Sequence, residues 1–176
     1  MSHILLIGFM GAGKSRIGAA LARELGMEFV DLDRLIEKRE GETIPQIFAS
    51  RGEGAFRDAE HEALLSLVST ASCVVACGGG IVIRDENRAL LRRLGTVVYL
   101  SVTAEEALAR IGDTTGRPLL SGDGARLAPQ ILASRLALYR SASDFDVDTS
   151  GQTPDEVLAR VLALVPSAAI HVSGAH

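Results

Sequence analysis

Residues 8–15 read Gly-x-x-x-x-Gly-Lys-Ser and directly follow the apolar run of residues 4–7. Glycines in such a loop let consecutive backbone N–H groups converge on phosphate oxygens, which side chains would obstruct. A helix starting near Lys14 would add the positive end of its dipole. Lys14 can reach the outer phosphates, and Ser15 offers a hydroxyl to a metal ion. The spacing therefore predicts a site for a nucleotide polyphosphate with magnesium.

A pair of acids, Asp31 and Asp33, follows the next apolar run, which ends in Phe29-Val30. Carboxylates two residues apart at the end of a strand point the same way, so both can face the phosphates. One could help to hold magnesium through water, and the other could orient or deprotonate an acceptor hydroxyl. A helix N-cap followed by an acid in the first turn would give the same local pattern, and that alternative stays open.

Two arginines and a run of glycines could bind an anionic acceptor. Arg57 begins a long amphipathic pattern, and the glycines at 78–80 follow the apolar run 73–77. Three successive glycines cost backbone entropy, so they make sense where a ligand must approach the backbone closely and accept from its N–H groups. Arg135 lies in a helical pattern, and taken alone it fits a solvated helix face better than a ligand site.

Five short apolar runs are typical of strands, and amphipathic helical patterns separate them. The strands are expected at residues 4–7, 28–30, 73–77, 97–100 and 144–147. Helices are expected from about Lys14 and at residues 55–68, 85–94, 104–111, 127–140 and 154–164, with Thr103 and Thr153 as N-caps. This alternation predicts an α/β fold with a parallel sheet covered on both faces, and ligands beyond the carboxyl ends of its strands.

Two segments fall outside this pattern. Residues 112–126 are rich in Gly, Asp and Thr and carry Arg117 and Arg126. Long loops in compact domains are often functional lids, so we expect a lid over the phosphate site rather than an ordinary solvated loop. Residues 166–176 are small, polar and aperiodic, which is typical of a frayed tail. Residues 1–165 are therefore expected to form one domain.

Composition limits the classes of partner. The chain of 176 residues is 47% hydrophobic with a net charge of −4, which suits one sizeable core and disfavours nucleic acid or an anionic membrane as partner. Cys73 and Cys77 are expected to be buried reduced thiols, and the four histidines lack ligand spacing, so no metal site of protein side chains alone is expected. The first apolar run has no basic segment before it and is too short to span a membrane, so a cytoplasmic location is expected.

The ordered set of motifs resembles shikimate kinase over nearly the whole chain. The matching elements are the phosphate loop 8–15, Asp31 with Asp33, Phe56-Arg57, the glycines 78–80, residues 117–120 (Arg-Pro-Leu-Leu) and Arg135 with Tyr139-Arg140. This resemblance implies a three-layer P-loop kinase fold with strand order 2-3-1-4-5, helices on both faces and a lid. It also implies transfer of the ATP γ-phosphoryl group to the 3-hydroxyl of shikimate, an aromatic amino acid precursor, by a chain expected to act as a monomer.

The resemblance also assigns roles by position. It implies that shikimate contacts Asp33, Arg57, Gly79, Gly80 and Arg135, with the acceptor-binding part at about residues 33–60. The ATP-binding set is Gly11, Ala12, Gly13, Lys14, Ser15, Arg16, Arg110 near the adenine, and Arg117 over the phosphates. Magnesium would be held by Ser15 and Asp31, partly through water, and catalysis would depend on Lys14, Asp33 and Arg117. Leu32 and Arg16 depart from the residues more usual in this family.

Two other functions fit part of the pattern. A P-loop kinase of another small polyol acid, such as gluconate, would share the phosphate loop, but the two arginines and the glycine triplet disfavour it. A nucleotide-dependent switch or binding module is more remote, because an Asn-Lys-x-Asp guanine reader is absent and the only asparagine, Asn87, is followed by Arg88 and Ala89.

Overall fold

A computed structural model describes residues 2–111 and 124–165. Within them, five parallel strands form one sheet in the order β2-β3-β1-β4-β5. The strands are β1 (His3–Ile7), β2 (Glu28–Asp31), β3 (Cys73–Ala76), β4 (Gly95–Ser101) and β5 (Phe145–Asp148). Strand order and parallel pairing confirm the predicted α/β architecture.

Helices connect the strands and cover both faces of the sheet. They are α1 (Lys14–Leu25), α2 (Leu32–Glu40), α3 (Ile44–Ser66), α4 (Asp85–Leu94), α5 (Ala104–Ile111), α6 (Gly124–Ala142) and α7 (Pro154–Leu164), with a short 3-10 turn at Leu67–Ser69. No helix in residues 2–111 and 124–165 is both long and apolar enough to span a membrane.

Alternation along the strands divides the interior into two layers. In β1, Leu5 and Ile7 belong to a cluster with side chains of α2, α3 and α4, whereas Ile4 and Leu6 belong to one with α1, α5 and α7. Helix α6 contributes to both clusters. Because β1 and β3 are buried along their whole lengths and β4 over its central residues, these three strands read as continuous apolar runs rather than alternating ones.

The structure extends the helix predicted at residues 55–68 beyond its apolar pattern. Helix α3 begins at Ile44 instead of residue 55, because Thr43 and Gln46 form a capping box and Pro45 occupies the first turn. Gly52 interrupts it with φ 81° and ψ 175°, so the helix is kinked there. The periodic stripe used for the prediction belongs to the part after this kink.

The structure confirms the predicted N-caps and the predicted buried, unpaired cysteines. The Thr103 hydroxyl accepts from the Glu106 N–H, and Thr153 with Glu156 forms a capping box at α7, as predicted. Cys73 and Cys77 are free, buried and in the same core cluster. Burial raises the pKa of the Cys73 thiol to about 11 and also raises that of Cys77, so both stay protonated at neutral pH.

His3 is buried at the amino end of the central strand β1, at the opposite end of this strand from the phosphate loop. Its Nε2 lies 3.0 Å from the carbonyl of Leu67, which can only accept, so this nitrogen carries the proton. The other ring nitrogen, Nδ1, accepts from the Cys73 backbone N–H at 3.2 Å. A second ring proton, on Nδ1, would face this N–H donor, so the contact disfavours the charged imidazolium. Burial, opposed by the bond to Leu67, lowers the pKa of His3.

We expect His3 to make folding stability depend on pH. The unfolded imidazole takes up a proton below about pH 6.5, whereas the folded one resists, so the free energy of unfolding falls as the pH drops through this range. Urea unfolding of the wild type and His3→Gln should therefore show a stability difference that shrinks between about pH 8 and about pH 5.5. A constant difference over that range would contradict the assignment.

Some predicted features have no structural test. Arg117 and the tail 166–176 lie outside the described residues. Residues 112–123 of the predicted lid do too, and its last residues, 124–126, are the first of α6.

Candidate active site

A cavity of about 930 Å³ opens at the carboxyl edge of the sheet, where β1, β2 and β3 end. This volume can hold a nucleotide together with a small second ligand. It brings together all the predicted site residues that the structure describes: Gly11, Ala12, Gly13, Lys14, Ser15, Arg16, Asp31, Asp33, Arg57, Gly79, Gly80, Arg110 and Arg135.

The phosphate loop runs from the end of β1 into α1. Gly13 caps the helix with φ 90°, a left-handed conformation that suits glycine. Gly11 has φ 79°, and a Cβ there would overlap the carbonyl oxygen of Ala107 in α5. The Lys14 ammonium donates to the carbonyl oxygens of Gly8 and Phe9, both at 2.9 Å. The lysine is thus held over the loop whose N–H groups would receive the phosphates.

Ser15 and Asp31, which the resemblance assigns to magnesium, lie in direct contact. The Ser15 hydroxyl donates to Asp31 Oδ2 at 2.7 Å, so the first turn of α1 meets the end of β2. A hydroxyl and a carboxylate are hard oxygen donors of the kind that Mg²⁺ prefers, and few protein ligands leave room for water and phosphate oxygens. These two residues therefore fit a magnesium ion.

The structure places Asp31 and Asp33 differently from the strand end that was predicted. Strand β2 ends at Asp31, whose Oδ1 accepts from the Arg34 N–H and caps α2, and Asp33 lies in the first turn of that helix. The alternative of an N-cap followed by a first-turn acid is therefore correct for the local structure. Both carboxylates nevertheless line the cavity, because α2 begins at the edge of the sheet.

Arg57 is 6% exposed and is held by two acids of its own helix. Its Nη1 donates to Glu60 Oε2 at 2.9 Å, and its Nη2 donates to Glu53 Oε1 at 3.0 Å. The guanidinium lies against the backbone of Gly80, since a Cβ on that residue would overlap it. The absence of a side chain at Gly80 is therefore what admits the cation beside the glycine triplet.

Arg135 is 8% exposed, so the solvated helix face that fits it in isolation is wrong. Its Nη1 donates to the carbonyl oxygen of Gly79 at 3.3 Å. Packing of α6 across the sheet turns this side chain toward the glycine triplet and places a second guanidinium in the cavity.

Glu60 is a site residue that the sequence analysis missed. It is 1% exposed, and its Oε1 has no hydrogen-bond partner within residues 2–111 and 124–165. A Cβ at Gly78 would lie 2.9 Å from this oxygen and 2.8 Å from Asp33 Oδ1. Burial raises the pKa of Glu60, and the charge of Arg57 opposes this shift. Its position three residues after Arg57, on the same helical face, was the available signal.

The other end of the cavity is built around Arg110. Its guanidinium donates to the Thr149 hydroxyl at 2.9 Å and to the Thr149 carbonyl at 2.6 Å. Gln152 and Pro154 line the same wall. These contacts join α5 to the loop after β5.

The order of the sheet, the phosphate loop and the charged side chains that share its cavity define a P-loop kinase of a small molecule. The chain belongs to the shikimate kinase family, whose model, described as "Shikimate kinase", matches residues 10–166.

Individual relatives agree over most of their lengths. A shikimate kinase from Geobacter metallireducens is 45% identical over 161 residues, which cover 90% of this chain and 89% of that protein. The structure of shikimate kinase from Acinetobacter baumannii in complex with shikimate matches with a TM-score of 0.89 at 37% identity, over 93% of this chain and 92% of that chain. A gluconokinase from Sinorhizobium meliloti 1021 matches with a TM-score of 0.60 at 22% identity, over 92% of this chain and 90% of that one, which shows a shared fold alone.

Proposed function

We propose that the protein transfers the γ-phosphoryl group of ATP to the 3-hydroxyl of shikimate, giving shikimate 3-phosphate in the pathway to aromatic amino acids. Membership in the family supports this reaction. The structural observation that carries it is the convergence of Arg57, Arg135 and Asp33 on the glycine triplet 78–80, in the same cavity as the phosphate loop.

The charges of this pocket suit a polyol that bears one carboxylate. Planar guanidinium groups bind carboxylates bidentately, and Arg57 and Arg135 supply two of them in a chain of net negative charge. Each charge-assisted hydrogen bond contributes about 1.5–3 kcal/mol. Asp33 can accept from ring hydroxyls, and so can Glu60 Oε1, which has no hydrogen-bond partner among the described residues. We assign the acceptor's carboxylate to the two arginines and to the backbone N–H of Gly80.

ATP and magnesium are assigned to the loop side of the cavity. The ion would be held by Ser15 directly and by Asp31 through water, and it supplies charge neutralisation of the outer phosphates. Lys14 then stabilises charge on the transferring group, and Asp33 orients the attacking hydroxyl. Arg110 and Arg16 flank the nucleotide. The resemblance assigns Arg117 and the lid to closure over the phosphates, which would exclude water as a competing acceptor.

A coupled assay of ADP release, comparing shikimate with gluconate, tests this function. We expect efficient turnover with shikimate and little with gluconate, because gluconate lacks the rigid ring that aligns its hydroxyls with Asp33. Faster turnover of gluconate would overturn the substrate assignment, and ATP hydrolysis unaffected by either polyol would favour a switch.

Assembly and location follow from the same residues. All of the assigned side chains come from one chain, so we propose that a monomer is active. Use of ATP and two free buried thiols are consistent with a reducing, cytoplasmic compartment.

A further inference from the structure

The carbonyl oxygen of Gly79 receives two hydrogen bonds from α6. Tyr139 Oη donates to it at 2.5 Å, and Arg135 Nη1 donates at 3.3 Å. The carbonyls on either side close turns instead, since Gly78 accepts from the Ile81 N–H and Gly80 accepts from the Ile83 N–H. Every carbonyl of the triplet is thus fixed, and only the middle one depends on side chains.

Fixing this carbonyl also fixes a donor. The Gly79 carbonyl and the Gly80 N–H belong to one planar trans peptide unit and point in opposite directions. Glycine on both sides of that unit removes the steric barrier that would otherwise hinder its rotation. Within the described part of the chain, no group accepts a hydrogen bond from the Gly80 N–H. The Arg57 guanidinium packs against Gly80, the residue that carries this N–H.

Burial and stacking hold the ring of Tyr139 in one orientation. It is fully buried and stacks on Tyr99, with ring centroids 4.9 Å apart and an interplanar angle of 12°. Burial raises the pKa of its hydroxyl, so the group remains a donor at any working pH. Tyr139 is absent from the residues that line the cavity, so it acts on the site through its two partners there, the Gly79 carbonyl and the Arg135 guanidinium.

We propose that Tyr139 is a positioning residue for acceptor binding. Its hydroxyl locks the Gly79–Gly80 peptide so that the Gly80 N–H faces the carboxylate bound between Arg57 and Arg135. This inference rests on the proposed function, because it takes the acceptor's carboxylate to lie at that N–H. It adds that the donor is oriented by a side chain that never touches the substrate.

Tyr139→Phe tests the inference, because it removes one hydroxyl and keeps the ring. We expect KM for shikimate to rise about 3- to 10-fold, as loss of one neutral hydrogen bond would give, while kcat and KM for ATP change less than about 2-fold. Tyr99→Phe is the matched control, since it removes a hydroxyl from the other ring of the same stack and should leave KM for shikimate unchanged. Equal KM effects in the two variants would overturn the inference.

Two further measurements separate positioning from a general loss of packing. With the analogue of shikimate whose carboxylate is reduced to an alcohol, the KM penalty of Tyr139→Phe should disappear, because the charged partner of the N–H is gone. 4-Aminophenylalanine at position 139 restores a donor and should return KM for shikimate to the wild-type value. This rescue tests the inference even if the phenylalanine variant folds poorly. A persistent penalty with the analogue, or no rescue, would overturn the inference.

The inference and the proposed function can fail separately. If Arg135→Ala raises KM for shikimate and Tyr139→Phe does not, only the positioning role is wrong. If Arg135→Ala leaves that KM unchanged, the acceptor site itself is misplaced.

Discussion

Lys14→Ala is expected to lower kcat about 10²- to 10³-fold, as loss of one preorganised donor at a developing charge does in other enzymes. The Lys14 ammonium lies 2.9 Å from two carbonyl oxygens of its own loop, so it is already held where the outer phosphates would bind. Water that fills the space left by alanine lacks the charge and must reorganise during transfer. Initial rates at saturating ATP and shikimate measure the effect.

Lys38→Ala is the matched control for this loss. Lys38 is the only other lysine in the sequence, and it is exposed on α2. It should keep nearly normal rates, so a fall confined to Lys14 reports the site and not the loss of a positive charge as such. Near-normal turnover by Lys14→Ala would contradict the phosphate-site assignment.

Arg135→Ala and Arg57→Lys are expected to raise KM for shikimate about 10- to 100-fold each, which corresponds to one lost charge-assisted hydrogen bond. Lysine is chosen at position 57 because alanine would leave Glu60, which is 1% exposed, as a buried acid without its cation. Lysine keeps the charge but loses the planar fork that matches a carboxylate. Steady-state kinetics with each substrate varied in turn, and melting temperatures of all variants, provide the measurement.

Affinity for ATP should stay within about 2-fold in both variants, because neither guanidinium lies on the phosphate loop. Arg84→Lys is the control, since Arg84 forms comparable ion pairs with Asp58 and Glu86 outside the cavity. Equal damage to both affinities would show that the two arginines hold the cavity together and do not select the acceptor.

Local patterns predicted the parts of the site that lie on contiguous residues. The phosphate loop could be recognised because its glycines, Lys14 and Ser15 act within one strand-to-helix turn. The two acids were correctly expected at the cavity, although the strand geometry was wrong for Asp33. Helix α2 begins at Leu32, directly after β2, so Asp33 lies on a helix and not on an extended strand end, and element boundaries are poorly defined by so short an apolar run.

Long-range packing decided the remainder of the site. Arg135 fits a solvated face in its own segment, yet α6 carries it to 3.3 Å from Gly79, 56 residues earlier in the chain. Glu60 has the polarity of a surface residue but is buried because the half of α3 after the kink packs against the triplet. The role proposed for Tyr139 likewise depends on its hydrogen bond to Gly79, which nothing in its own segment of the sequence indicates.

By itself the sequence determined the strand-helix alternation, the nucleotide loop and the kind of side chains that an anionic polyol requires, because each depends on residues close together in the chain. Only the tertiary structure decided which charges are buried, which carboxylate faces which guanidinium, and which side chains bond to the Gly79 carbonyl. Those properties depend on how α3 and α6 pack on the sheet, and that packing is set by the whole core and not by any one segment.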